Sequence, residues 1–558
     1  MDNIFSRIWF KKSEACVVFS DKKTRRENIA AFIVCLLLSG VFLAICTRSS
    51  FLYPLNDWVD SNCFFTVGKS MMNGKVVYRD IYEQKGVLLY FIHGLAYLIS
   101  NTTFIGVYLF EVIFFTFFLY LSYLCARLYT NYALSLCVLP VISYAVLTSV
   151  SLRQGDSAEE FCLPFILLPI YVLLRSVKKG DGSGVPSAKW VFLLGMGAAC
   201  VLWIKYTLLG VYIGYVLAAV MLCVTDKQPK KLLVSAAAFA GGAAVVSLPF
   251  LVYFALNGAL GDMFTAYFYN NMFLYSDEKT FTDKLAGIFS LAVRGLSYNG
   301  IWGKLAWLGF FSVVLDIRAP RASLGVLLLY LGNIFFIYWG GIGWYYYSFG
   351  MVALSVLGFV FVVRLFGYLW NVLKTNLKII FPRFIGADDN GQAPPEGVGK
   401  AASAQLLDSG TVAALSYICA FAVLASMSAV FAEKSYRECD NVFYMEYERE
   451  DIWQQKFADI IALSQEQTLL NYSCLDLGLY TTANIVPTEK YFARLNIDLE
   501  EMKESLDLAI SEQHTEFVVI RGTPSSFVKQ YYDIVAQEQS FVEYEGSSTS
   551  YYLLQRKK

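Results

Sequence analysis

The stretch IAAFIVCLLLSGVFLAIC, residues 29–46, carries no charge and is preceded by a basic segment that includes Lys11, Lys12, Lys22, Lys23, Arg25 and Arg26. It is long enough to cross a bilayer, and no small-residue cleavage site follows it, so it reads as a retained first membrane helix and not as a removed signal. Further apolar runs of spanning length lie near residues 103–126, 132–150, 160–176, 189–207, 209–225, 231–256, 301–316, 322–340, 345–368 and 411–432. The pattern predicts an α-helical polytopic membrane protein with about 11–13 spans. Composition agrees: of 558 residues 57% are apolar and 16% charged, with a mean hydropathy of +0.50, whereas a soluble chain carries about 25% charged residues. Lys and Arg together number 45, as do Asp and Glu, so no basic excess is available to neutralise a nucleic-acid backbone and no nucleic-acid partner is expected.

Orientation follows from the basic residues of the short loops. The N-terminal cluster, Arg127, Arg175 with Lys178 and Lys179, Lys227 with Lys230 and Lys231, Arg318 with Arg321, and Lys374, Lys378 and Arg383 fall in every second loop, which places them inside. The expected layout is a cytoplasmic N-terminus over 1–28, a transmembrane domain over 29–432 and an extracytoplasmic domain over 433–558, in the plasma membrane. Residues 48–102, 151–159, 257–300 and 339–345 then lie outside and 369–410 inside. Val87 to Ser100 is apolar but short for a span and reads as an interfacial or re-entrant helix. Nearly loopless hairpins near residue 130 and at Leu208–Gly210 predict antiparallel neighbours. No inverted repeat of the transporter kind is visible.

Beyond Glu433 polarity rises. Asp451–Ser464 and Leu499–Glu512 have helical periodicity, and Thr468–Cys474, Glu516–Arg521 and Tyr551–Gln555 read as short strands, predicting a small α/β domain. It holds no glycine-rich phosphate loop and no nucleophile motif, which suits a covering or acceptor-recognition role. Of twelve cysteines, Cys439 and Cys474 lie in this domain and either pair or remain free thiols. Only two histidines, His93 and His514, are present, so a zinc site has little to be built from.

The chemistry concentrates in two outer loops. The first, FLYPLNDWVDSNCFFTVGKSMMNGKVVYRDIYEQKG over residues 51–86, gathers Asp57, Asp60, Lys69, Lys75, Arg79, Asp80, Glu83 and Lys85. Within it Asp60 to Met72 has the periodicity of an amphipathic helix suited to lying flat at the membrane surface. The second, SLRQGDSAEE over 151–160, brings Arg153, Asp156, Glu159 and Glu160. Glu160 reads as a helix N-terminal acid; Asp156 and Glu159 read equally as capping residues and as site residues. A carboxylate left unpaired near hydrocarbon has its pKa raised by desolvation and can accept a proton from a hydroxyl, while Lys and Arg suit a phosphate. On residue types alone the favoured interpretation of these charges is that they are solvated loop residues.

Asp60, Met71, Met72, Gly74, Tyr78, Arg79, Asp80, Lys85, Gly86, Leu88, Leu89 and Tyr90 together resemble the first outer loop of the GT-C glycosyltransferases, polyprenyl-phosphate-sugar-dependent membrane enzymes that include protein O-mannosyltransferases and lipid A aminoarabinose transferases. Asp156–Glu160 occupies the place of that family's second acidic loop, GGIGWYYYSFG over 340–350 resembles its late aromatic segment, and VPTEKYF over 486–492 is similar to part of its outer domain. The resemblance implies a GT-C-like fold and an inverting transfer of a sugar from a polyprenyl-phosphate donor to an envelope acceptor that is a lipid, glycan or protein. It implies Asp60 as the general base, with Asp57 as rival, Lys85 and Arg79 as phosphate ligands, and Asp80, Glu83, Tyr345 and Tyr346 as candidate substrate contacts. Some members use a divalent metal ion on paired acids; Asp156 and Glu159 are spaced three apart, which leaves a metal cofactor open. Trp344 to Tyr347 suits stacking on a sugar or prenyl unit and equally an interfacial aromatic belt. His93 can reach the same cleft but reads first as a structural residue. Two other classes stay in view: a transporter or flippase of a lipid-linked glycan, for which Glu111 and Lys205 are the ionisable residues inside spans, and a non-catalytic scaffold.

Overall fold

The computed structural model of the chain describes residues 22–179, 186–275, 280–315, 320–380, 409–542 and 547–558. Lys11, Lys12, Arg318, Arg383 and most of the 369–410 loop lie outside them. All eleven apolar runs are helices. Among the described residues eight helices are long and apolar enough to cross a membrane: Lys23–Cys46, Ile105–Arg127, Ala158–Lys178, Ala188–Leu208, Pro229–Leu256, Arg321–Tyr338, Tyr345–Leu369 and Ile418–Glu438. The other three runs, Tyr132–Leu147, Gly210–Thr225 and Gly300–Val314, are apolar helices of 15 or 16 residues. The chain is a multi-pass membrane protein.

Small residues set which helices pair. Gly195 and Gly242 face one another across Ala188–Lys205 and Pro229–Leu256: a Cβ on either would stand 2.0 Å from a carbonyl oxygen of the other helix, so the backbones touch as in other lipid-embedded helix pairs. The Leu208–Gly210 hairpin departs from expectation. Gly210–Thr225 packs chiefly against Pro320–Tyr338, not against its predecessor, because Gly210 and Gly214 admit the backbone of Gly332 and Leu328. At one end of the bundle basic residues are tied down, Arg127 on Glu27 at 2.9 Å and Arg321 on Asp226 at 2.6 Å. The C-terminal domain sits over the other end.

The Val59–Met72 helix is the main correction to the sequence reading. It does not lie with one face open, since Ser61 to Ser70 are all buried. Val87–Ile99 covers one side, with Gly68 and Gly94 in backbone contact. The C-terminal domain covers another: Thr66 Oγ1 donates to Asp476 at 2.6 Å and Lys69 Nζ to the Tyr480 carbonyl at 2.8 Å. A helix of mixed polarity suits a headgroup layer or a protein interface equally well, and here the polar partners come from the same chain. Val87–Ile99 has 13 residues, about 20 Å at 1.5 Å per residue against about 30 Å of hydrocarbon.

The C-terminal domain contains the expected helices, Trp453–Ala462 and Glu500–Ser511, beside a four-stranded sheet ordered β1 (Leu469–Asn471), β2 (Phe517–Arg521), β4 (Ser547–Arg556) and β3 (Tyr532–Val542). β1 and β2 are parallel, while β4 pairs antiparallel with β2 and with β3. β3 escapes the sequence reading because YDIVAQEQSFV alternates only weakly. The core runs without a break from the membrane helices into this domain. Cys439 and Cys474 are not paired with each other, and the neighbour of the Cys439 thiol is Cys46.

Candidate active site

The first loop is folded by its own polar atoms. Asp80 accepts from the Val76 backbone N–H at 2.8 Å, and Tyr78, at a left-handed φ of 72°, donates its hydroxyl to the Lys85 carbonyl at 2.6 Å. Glu83 is gripped by the Tyr90 hydroxyl and accepts from the Lys85 N–H at 2.9 Å. Gly86 then donates to the Ile204 carbonyl at 3.1 Å, and a Cβ there would stand 2.0 Å from the Trp203 carbonyl oxygen. Only glycine permits that approach, and the approach carries Lys85 to the end of the Ala188–Lys205 helix.

The Lys85 ammonium lies 3.9 Å from Glu83 and over the Phe64 ring. Burial works to lower its pKa, but the carboxylates of Glu83 and Asp60 outweigh this and hold it above the ordinary lysine value. Lys205 is ion-paired with Glu159, and its ammonium stands 4.0 Å above the Tyr347 ring. Asp60 acts electrostatically on both lysines and on Tyr346. Asp60 itself is half-buried at the start of its helix, and among the described residues it makes no hydrogen bond or ion pair.

The second loop is a support. Arg153, Gly155 and Asp156 are all left-handed, with φ of 57°, 84° and 64°, a conformation that non-glycine residues hold only where surroundings enforce it. The enforcement is visible. Asp156 is buried against His93 at 2.8 Å, and its N–H donates to Glu111 at 2.8 Å and Glu160 at 3.0 Å. Burial pushes the Asp156 carboxyl up, opposed by His93. Glu111 also accepts from Thr47 at 2.9 Å.

A cavity of about 1250 Å³ separates the bundle from the C-terminal domain, and its wall includes Asp57, Asp60, Arg153, Trp344, Tyr346 and Arg494. That exceeds the usual range of roughly 300–1,000 Å³ for a small-ligand pocket. Asp57 is ion-paired with Arg48 at 2.7 Å. Arg48 is fixed in turn by Asn441 at 2.9 Å and by the rings of Phe443 and Tyr444.

Of the residues singled out from sequence, Asp60, Lys85, Glu83, Glu159 and Tyr346 are brought together. Asp57 and Asp156 lie at the margin, each held by a cation or a histidine, and Tyr345 stacks near Arg153. Arg79 and Asp80 are elsewhere. They pair with each other at 2.7 Å, Arg79 donates to the Asn257 carbonyl, and neither lines the cavity. Lys205 and Glu111, read as ionisable residues inside spans, are both engaged at this end of the bundle. Arg48 went unread; an arginine immediately after the first span, in a loop assigned to the outer side, was the available signal, whereas Tyr347 was read only as part of the aromatic segment. Among the described residues no group of three or more His, Cys, Asp or Glu is arranged to hold a metal ion. Asp156 and Glu159 each face a basic partner of their own, so paired acids for a metal are not provided there.

The fold of the chain, a helical membrane bundle followed by a small C-terminal α/β domain, is similar to that of solved GT-C glycosyltransferases. ArnT from Cupriavidus metallidurans bound to undecaprenyl phosphate aligns with 94% of this chain and 97% of its own at a TM-score of 0.54 and 13% identity. Its apo form aligns at 0.52 and 12%, covering 95% and 98%. The apo oligosaccharyltransferase of Archaeoglobus fulgidus aligns at 0.40 and 12%, covering 88% and 69%. No family model matches the chain, and no curated protein matches it significantly.

Proposed function

We propose that this protein is a glycosyltransferase that moves a sugar from a polyprenyl-phosphate donor to an acceptor hydroxyl of the cell envelope, at the extracytoplasmic face of the plasma membrane. The observation that carries the reading is Asp60: a carboxylate on the cavity wall, half-buried, without a hydrogen-bonding partner among the described residues and flanked by Lys85 and Lys205.

In this reading the acceptor oxygen attacks the anomeric carbon while Asp60 takes its proton, and the bond from that carbon to the phosphate oxygen breaks with inversion. The departing polyprenyl phosphate gains negative charge, and Lys85 and Lys205, which neighbour Asp60 although they do not themselves line the cavity, stabilise it. Arg153, whose guanidinium makes no ion pair within the described residues, stands on the same wall. Arg79, occupied by Asp80, is not assigned to the phosphate. ArnT bound to undecaprenyl phosphate supports a prenyl phosphate as the lipid half of the donor.

The test is Asp60→Asn expressed in place of the native chain. A general base contributes roughly 10²–10⁴-fold, so the glycan mass increment that depends on this protein disappears from the envelope. The purified variant still binds undecaprenyl phosphate. Retention of the increment would overturn the mechanism and favour a carrier or scaffold, for which this carboxylate has no proton to take.

A further inference from the structure

The last membrane helix, Ser409–Glu438, leaves most of its apolar surface uncovered by the rest of the chain. Its end nevertheless has a specific anchor. Cys439, the next residue, directs its thiol to the carbonyl of Cys46, the final residue of the first helix, at 3.8 Å, which makes the Cys46 thiol its neighbour. Both are buried, Cys46 completely and Cys439 to 8% exposure. Cys474 is engaged elsewhere, beside Ser473 and Arg521.

We propose that Cys46 and Cys439 form a disulfide that staples the last membrane helix to the first. This rests on the reading that places this end of the bundle on the extracytoplasmic, oxidising side. The oxidant is a disulfide-bearing thiol oxidoreductase, met as the last helix docks. The Cys439 thiolate attacks one sulfur of the donor disulfide, giving a mixed disulfide and releasing one donor thiolate. The Cys46 thiolate then attacks the Cys439 sulfur, forming the bond and releasing the second donor thiolate. Two electrons and two protons pass from the cysteines to the donor, which leaves as a dithiol. The neighbouring Cys46 thiol and the backbone N–H of Asn441 hold Cys439 below its ordinary value against the opposing effect of burial, which favours it as the first attacker.

The staple bears on the cavity. Asn441, two residues beyond Cys439, donates to the carbonyls of Cys46 at 2.6 Å and Arg153 at 2.8 Å and accepts from Arg48, which holds Asp57. The bond would close a separation of 393 residues, the long-loop case in which a cross-link restricts the undocked chain most.

The experiment traps thiols by alkylation in intact membranes, then maps the unreduced, digested full-length protein by mass spectrometry. The expected result is a linked peptide pair joining Cys46 and Cys439, with Cys474 alkylated. The pair disappears in Cys46→Ser, and reductant lowers the apparent Tm of the native chain but not of the double serine variant. In parallel, the purified reduced protein is treated with diamide. Failure to link under diamide refutes the geometry. Linkage under diamide but fully alkylated cysteines in the membranes overturns the disulfide as a feature of the native protein. It does so without touching the Asp60 mechanism, whose readout is the glycan. A bond from Cys439 to Cys474 also overturns it.

Discussion

Replacing Lys205 by Met isolates the charge balance of the site. Lys205 is the ion-pair partner of Glu159, which is 1% exposed and whose second oxygen, Oε2, has no hydrogen-bond partner among the described residues. Removing the lysine leaves a buried carboxylate with neither oxygen compensated, a change worth about 3–5 kcal/mol in other proteins. The ammonium over the Tyr347 ring at 4.0 Å adds roughly 1–2 kcal/mol when desolvated. Lys205→Met should therefore lose about 5 kcal/mol, while the double variant with Glu159→Gln, which buries a neutral amide instead of a charge, should lose about 1–2 kcal/mol. The assay is denaturation in detergent of the native, two single and double variants, with undecaprenyl phosphate titration of each. If Lys205 also meets the lipid phosphate, the double variant is stable yet binds at least about tenfold more weakly, near 1.4 kcal/mol. A single variant as stable as the native chain, or a double variant no better than Lys205→Met, would refute the buried-pair argument.

Gly86→Ala forces a Cβ to within 2.0 Å of the Trp203 carbonyl oxygen, and a backbone atom cannot rotate away; a loss of about 2–3 kcal/mol is expected, read as a lowered apparent Tm and weakened donor binding. Gly74→Ala is the control, since nothing lies within 4 Å of its Cβ and only its φ of 88° is strained, about 1 kcal/mol. Lys69 supplies a pH dependence. Burial, partly offset by Asp476, pulls its pKa down from the ordinary 10.5 to about 7. The folded chain then holds fewer protons than the unfolded chain between these values, so stability rises as pH rises from about 7 and the gain is complete above 10.5. The slope approaches about 1.4 kcal/mol per pH unit within that window. Proteolytic susceptibility of the junction between Val59–Met72 and the C-terminal domain, measured from pH 7 to 9, checks it. The slope should vanish in Lys69→Met, and an unchanged slope there would assign the effect to another group.

The membrane helices were legible because burying backbone in lipid demands long apolar runs, and such runs survive in a single sequence. Helix partners were not, as Gly210–Thr225 shows: its choice of Pro320–Tyr338 turns on which glycines face each other. The burial of Val59–Met72 was hidden for a similar reason, since Thr66 and Lys69 look solvated until Asp476 and Tyr480, some 410 residues away, supply their partners. Asp60 and Lys85 were picked out by family resemblance, not by any property of the loop alone. Lys205 was read only as an ionisable residue inside a span, because its partner Glu159 lies 46 residues away and no spacing in the sequence announces the pair.

The crowd of acids around the cavity is what gives Asp60 its standing. Asp57 has Arg48, Glu83 has Tyr90 and the Lys85 N–H, Glu111 has Thr47, Asp156 has His93, Glu159 has Lys205, and Glu160 accepts from the Asp156 N–H. Each of these carboxylates has a lone pair already directed at a donor within the chain, and each donor tightens its own segment of backbone. Of these six only Asp57 lines the cavity, and there it is held by Arg48. Asp60 alone in this set has both oxygens uncommitted among the described residues, and it lies on the cavity wall where an acceptor hydroxyl can approach. The surrounding pairs thus tie down the two loops and leave uncommitted the one carboxylate proposed here as the base.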